Sequence, residues 1–191
     1  MRESANGNGI AAAQGFSKEW IAERARYLAG VEPQSRRWLL EVAFGRVCLT
    51  SVARAPVAAD GRALFHVQFF PLVSLSAIAP ESLAQAVPCM HAHLGELAHL
   101  TRRELEVYRL LGRGASNTEV AKSVVRTTRL VESVTLRLRR SLGGDSLRRV
   151  IAHSAQSGLY CLNDEHFAQI LANHHPRRER KARVESNKAD R

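Results

Sequence analysis

Residues 100–159 read LTRRELEVYRLLGRGASNTEVAKSVVRTTRLVESVTLRLRRSLGGDSLRRVIAHSAQSGL. The local chemistry of this stretch predicts four short helices. Thr101 with Glu104 three positions on is a capping box: the hydroxyl accepts from an orphan backbone N–H, and the carboxylate reaches back to the cap. Leu105, Val107, Tyr108 and Leu111 give this helix its apolar side, and Gly112 or Gly114 ends it. Ser116 and Glu119 repeat the capping box and open a helix through about Val124, with Val120, Ala121 and Val124 facing inward. Val125-Arg126-Thr127 is a turn. Thr127 caps a third helix from Thr128 to about Leu142, in which Val131, Val134, Leu138 and Leu142 form one apolar stripe. Gly143 stops it. Asp145 or Ser146 caps a fourth helix, with Leu147, Val150, Ile151 and Ala155 turned in.

The second helix, a three-residue turn and a basic third helix make a helix-turn-helix, a unit that lays its second helix in the major groove of DNA. The groove face is what the apolar stripe leaves out: Thr128, Arg129, Glu132, Ser133, Leu136, Arg137 and Arg140. Arg148, at the start of the fourth helix, is a further candidate for phosphate contact, as is Arg149; a solvated face explains them equally.

LTRRELEVYRLLGRGASNTEVAKSV resembles the start of the LuxR-type (GerE-like) DNA-binding domain, which usually reads LTxRExEVLxLxxxGxSNxEIAxxL. Leu100, Thr101, Arg103, Glu104, Glu106, Val107, Leu110, Gly114, Ser116, Asn117, Glu119 and Ala121 match without a gap, and Val120 is a close substitute. The resemblance covers residues 100–160. It implies a four-helix bundle that binds double-stranded DNA, commonly as a homodimer on inverted repeats.

The departures fall on the third helix. Where that family usually reads S-x-x-T-V-K-x-H, the aligned residues here run Thr127 to Val134, so Glu132 replaces the lysine and Val134 the histidine. Leu136 stands where another base-reading residue often sits, and Arg126 takes the apolar position of the turn. A carboxylate facing phosphates is repulsive unless it accepts from a cytosine N4 amine. Two readings follow. The domain binds DNA at a site of its own, or it has become a degenerate helix-turn-helix that contacts a protein such as RNA polymerase.

Charge supports the first. The 191-residue chain carries a net +10, unevenly placed. Residues 101–150 hold 12 Lys and Arg against 5 acids, while residues 1–100 hold 9 against 8. Only four of the 28 basic residues are Lys, and the planar Arg fork suits phosphates and guanine edges. The codon bias of a GC-rich genome yields the same preference.

Outward from this stretch the patterns are weaker. Residues 1–15 are expected to be disordered, and residues 16–79 to form a small α+β sensory or dimerisation region. Ser17 caps a helix to about Leu28, with Trp20, Ile21, Ala25 and Leu28 on its buried face, and Gly30 ends it. A second helix is expected from near Pro33–Ser35, with Trp38, Leu39, Val42 and Ala43 as its stripe. Val47–Ala53 and Ala63–Val73 read as an antiparallel β-hairpin about a turn at Ala58–Gly61. Phe65, Val67 and Phe69 form its buried face, alternating with His66 and Gln68. Residues 80–99 are expected to be a linker helix, perturbed at Pro88. The hairpin and linker faintly resemble the end of a PAS-type sensory domain, although two strands fall short of its usual five. Residues 161–174 are expected to add a C-terminal helix carrying Phe167, Ile170 and Leu171, and residues 175–191 a disordered basic tail.

The expected fold class is therefore mainly α: a C-terminal four-helix LuxR-type bundle preceded by a small α+β domain. The expected partners are duplex DNA and a second copy, in the cytoplasm, with no membrane, cofactor, metal or enzymatic role. No apolar run approaches the roughly 18 residues of a spanning helix. Three scattered cysteines do not make a disulfide framework. No phosphate-cradling loop, carboxylate pair or nucleophile motif is legible. Cys89, His91, His93 and His99 form a C-x-H-x-H-x5-H run, but on a helix only Cys89 and His93 would share a side. The bland reading is a helix surface with incidental histidines. His174 and His175 are expected in solvent, and Trp20 and Trp38 in the core.

Overall fold

A computed structural model describes residues 17–32, 35–54, 65–72, 84–143 and 146–176. Helix α1 (Lys18–Ala29) precedes strands β1 (Arg36–Ala43), β2 (Arg46–Arg54) and β3 (Phe65–Pro71) and the short strand β4 (Val87–Pro88). A 3-10 turn at Gly95–His99 leads into α2 (Arg102–Gly112), α3 (Asn117–Ser123), α4 (Thr128–Ser141), α5 (Leu147–Ser157) and α6 (Asp164–Asn173). The result is a mixed fold, mainly helical, with one four-stranded sheet among the described residues.

The sheet order is β3-β2-β1-β4, antiparallel except for the parallel β1–β4 pair. A two-residue turn joins β1 to β2, with positive φ at both Phe44 (54°) and Gly45 (75°), as the right-handed twist of a tight hairpin prefers. The pairing places Leu39, Glu41, Cys48, Thr50 and Val52 on one face and Leu40, Val42, Val47 and Leu49 on the other. The first face lies under α1, where Leu39, Val52 and Cys89 pack with Tyr27, Leu28 and Val87. The second joins the main core: Val42 and Val47 cluster with Leu97, Leu105, Tyr108, Leu138, Leu159 and Ile170. Each such fully buried aliphatic residue contributes about 1.5–3 kcal/mol of transfer free energy.

This double cover explains the main departure from expectation. Residues 36–43 form strand β1, not a second helix. A strand buried on both faces has adjacent apolar pairs (Leu39-Leu40, Val42-Ala43), and these mimic helical spacing. β2 and β3 pair as expected, with Thr50 opposite Phe69 and Val52 opposite Val67. The turn expected at Ala58–Gly61 lies outside the described residues, as do residues 1–15 and 177–191. The buried face assigned to the hairpin is also corrected: Val67 and Phe69 are 42% and 40% exposed. They sit on the outermost strand, and Phe69 meets the exposed Phe44 edge to face at 6.0 Å.

The continuous linker helix is not formed among the described residues 84–99. Pro88 instead ends a short strand beside β1, and the chain then bends at Met90 and His91 and reaches the 3-10 turn without regular structure. Helix α1 starts at the expected Ser17 cap, yet Ala25 is exposed while Glu23 and Arg24 are buried. Arg24 donates to Glu41 from Nε (2.9 Å) and Nη2 (2.6 Å), and to Glu23 from Nη1 (2.7 Å). Glu23 in turn accepts from the backbone N–H of Met90 and His91. A charged cluster, not an apolar stripe alone, therefore fastens α1 to the sheet. Trp20 and Trp38 are half-buried, and the Arg24 guanidinium lies 4.2 Å over the Trp20 ring.

Candidate nucleic-acid interface

Both capping boxes form. Thr101 accepts from the Glu104 backbone N–H and Ser116 from that of Glu119, while each glutamate accepts from its cap's N–H in return. These bonds hold the Glu119 carboxyl below the usual carboxylate range. The chain leaves α3 through Val124 and Val125, then Thr127 caps α4 by accepting from Leu130 N–H. The Arg126 N–H donates to the Ala121 carbonyl at 2.9 Å, which closes the turn.

Helix α4 has 14 residues, about 21 Å at 1.5 Å per residue. Val131, Val134, Thr135 and Leu138 face inward and are buried. Arg129, Glu132, Ser133, Leu136, Arg137 and Arg140 are exposed on the opposite side, and Thr128 is half-buried at the helix start. Arg148 is exposed in the first turn of α5, which Ser146 caps. Arg137 is not wholly free: its Nε lies 3.5 Å from Glu104 Oε1.

The basic stretch divides into two kinds of arginine. Arg109 is buried, and its guanidinium donates to the carbonyls of Leu159 (3.2 Å) and Leu162 (2.5 Å) and pairs with Asp164 (2.8 Å). Burial lowers its pKa, and its hydrogen bond, with its charge second, holds the Asp164 carboxyl low. Arg102 reaches the Ala172 carbonyl, and Arg113 the Tyr160 carbonyl. These three hold the segment after α5 in place. The outward cations include Arg129, Arg137 and Arg140 of α4 and Arg148 and Arg149 of α5, together with Arg103, Lys122 and Arg126.

No family model matches the chain, and no curated protein does. Among solved structures, the phage VqmA–DPO complex is 21% identical over 78% of this chain, with a TM-score of 0.33. A Vibrio cholerae VqmA dimer, described as a LuxR-type receptor in the absence of target DNA, is 17% identical over 74%, with a TM-score of 0.32. A Vibrio cholera VqmA–ligand–DNA complex is 17% identical over 77%, with a TM-score of 0.34. The chain spans 66%, 65% and 66% of those chains. TM-scores of this size do not establish a shared fold.

Several side-chain partnerships around the site left no sequence signal. Tyr108 is fully buried; its hydroxyl meets His153 Nδ1 at 2.7 Å, and His153 Nε2 meets Glu96 Oε1 at 2.7 Å. Burial pushes the Tyr108 phenol up to about 12. This chain of bonds ties α2 and α5 to the 3-10 turn. His174, expected in solvent, is buried and donates from Nε2 to the Leu100 carbonyl at 2.7 Å. Cys89, His91, His93 and His99 do not share one helix, His99 alone ending the 3-10 turn, and among the described residues no His, Cys, Asp and Glu group could hold a metal ion. Cys89 is buried with its thiol pushed up to about 12. No helix among the described residues is long and apolar enough to cross a membrane.

Proposed function

We propose that this protein is a DNA-binding transcription regulator of the LuxR type. In this reading α2–α5 form the four-helix bundle, α3 and α4 are its helix-turn-helix, and α4 enters the major groove. The observation that carries it is the two-sidedness of α4. Its apolar stripe is buried, while Arg129, Arg137 and Arg140 share the exposed face with Ser133, Glu132 and Leu136. Arg129, Arg140 and Arg148 supply phosphate contacts, while Glu132, Ser133, Leu136 and Arg137 meet base edges. The region before residue 100 acts in sensing or dimerisation, and the protein works in the cytoplasm as a homodimer without enzymatic activity.

The double variant Arg137→Glu/Arg140→Glu tests the assignment. Mobility shift on random duplex at about 50 mM salt is expected to show binding by the native chain, weakening steeply as salt rises. The variant is expected to lose it. Retention of duplex binding by the variant would show that α4 does not carry the contact. A second reading has specific support in two exposed apolar residues, Val125 (80%) and Leu136 (43%), beside Glu132. There the same surface docks on a protein of the transcription machinery, such as RNA polymerase. Absence of any duplex binding at low salt selects it.

A further inference from the structure

Two residues on the outward face of α4 serve neither its packing nor attraction to phosphate. Glu132 is exposed, and among the described residues no hydrogen bond or ion pair engages its carboxylate. Arg129 stands three residues before it, at a spacing that allows an ion pair on a helix, yet none is formed. Arg137 lies on the other edge of the face, with its Nε 3.5 Å from Glu104 Oε1 on α2. Leu136 is one turn beyond Glu132 on the same side and is 43% exposed. At that spacing the two side chains start about 5–6 Å apart. Whatever α4 enters therefore meets hydrogen-bond acceptors from one and bare hydrocarbon from the other.

Resting on the reading of α4 as the helix in the major groove, we propose that these two residues select pyrimidines: a cytosine beneath Glu132 and a thymine beneath Leu136. The groove edge of guanine offers the acceptors N7 and O6, and that of thymine the acceptor O4, so both repel a carboxylate. Adenine offers its N6 amine, but with the N7 lone pair beside it. Cytosine offers the N4 amine with no acceptor on its own groove edge. The thymine methyl is the apolar group on the groove floor, and it matches Leu136. One turn of α4 advances about 5.4 Å against about 3.4 Å per base pair, so the two bases are neighbours or next neighbours.

The sign of Glu132 separates this role from general attraction to DNA. A residue serving attraction would be cationic, as Arg129 and Arg140 are on the same face. A carboxylate there weakens binding to every duplex that presents no donor beneath it, which is discrimination by repulsion.

Selection from a random duplex pool by the full chain, by Glu132→Gln and by Leu136→Ser tests this. The substituted side chains are exposed, so the fold does not depend on them. The native chain is expected to enrich a C·G pair with a T·A pair within two positions. Glu132→Gln is expected to replace that C·G by A·T, because glutamine pairs with adenine N6 and N7, and to shift the preference about tenfold. The same variant is expected to bind random duplex more tightly at about 50 mM salt, having lost a charge that repels phosphates. Exchanging the selected thymine for uracil removes only the methyl; it is expected to weaken the native chain several-fold and to leave Leu136→Ser unchanged. Four results would overturn the pyrimidine assignment while leaving DNA binding by α4 intact. These are a native motif of A·T pairs alone, one motif shared by the native chain and Glu132→Gln, weaker random binding by that variant, or equal uracil effects in the native chain and Leu136→Ser. Absence of duplex binding by the native chain at low salt would overturn both this assignment and the reading on which it rests.

Discussion

At the scale of single residues, the turn between α3 and α4 carries the plainest conflict between sequence and backbone. Val125 adopts φ 51°, a left-handed conformation that β-branched side chains resist, and its side chain is 80% exposed. Such strain costs on the order of 1–3 kcal/mol, and no burial in the folded chain offsets it. Val125→Gly is therefore expected to raise stability by about 1 kcal/mol, the relief of strain exceeding the entropy that glycine loses on folding. Urea denaturation checks this, and a fall in stability would mean that Val125 makes contacts that outweigh its backbone. If the exposed valine serves a docking surface, the more stable variant should also lose that partner.

Elements read from the sequence with very uneven clarity. The caps at Thr101, Ser116 and Thr127 and the stripe Val131, Val134 and Leu138 were legible because they are local: a helix satisfies its own first N–H groups within three residues. The outward face of α4 followed by subtraction. Strand β1 was not legible, since double burial removes the alternation that marks a strand. The buried side of α1 was hidden for a different reason: Glu23 and Arg24 enter the interior only because Glu41 and the 90–91 backbone wait there, about 17 and 67 residues away in the chain. Helix α6 depends on such distant partners as well. Removing the Arg109 donors with Arg109→Met leaves the Leu159 and Leu162 carbonyls without them, and is expected to cost about 3 kcal/mol by thermal or urea unfolding. His174 adds a pH dependence. Burial sets its folded pKa below the ordinary 6.5, so the unfolded chain takes up the proton first. Its contribution is fully present above pH 6.5 and is lost as pH falls through the folded value. The melting temperature should drop below pH 6.5, and His174→Asn should flatten that part of the profile.

The molecule as a whole is joined where two glycines meet. Gly45, in the β1–β2 turn, and Gly95, at the start of the 3-10 turn, both have positive φ, and a side-chain carbon on Gly45 would lie 2.9 Å from the Leu94 carbonyl oxygen. The Gly45 N–H also donates to the His93 carbonyl at 2.9 Å. Backbone cannot yield as a side-chain tip can, so Gly45→Ala is expected to cost about 2 kcal/mol or more. Gly114→Ala, with a similar φ of 80° and open space around it, should cost only the conformational part. Equal losses in the two variants would show that the packing of sheet against helices is looser than this contact implies. Because Val42 and Val47 share one core with α2–α6, near-ultraviolet and far-ultraviolet signals should melt together. The position of α6 has a practical corollary for modular use of the protein. One side of that helix is held by Arg102 and Arg109, while its His166 and Asn173 reach the carbonyls of Cys89 and Met90. A fragment cut at residue 160, where the family pattern stops, would sever both sets of bonds. The smallest transplantable piece therefore runs through residue 174, and a domain swap designed on the motif alone would carry helices α2–α5 without the helix that clasps them.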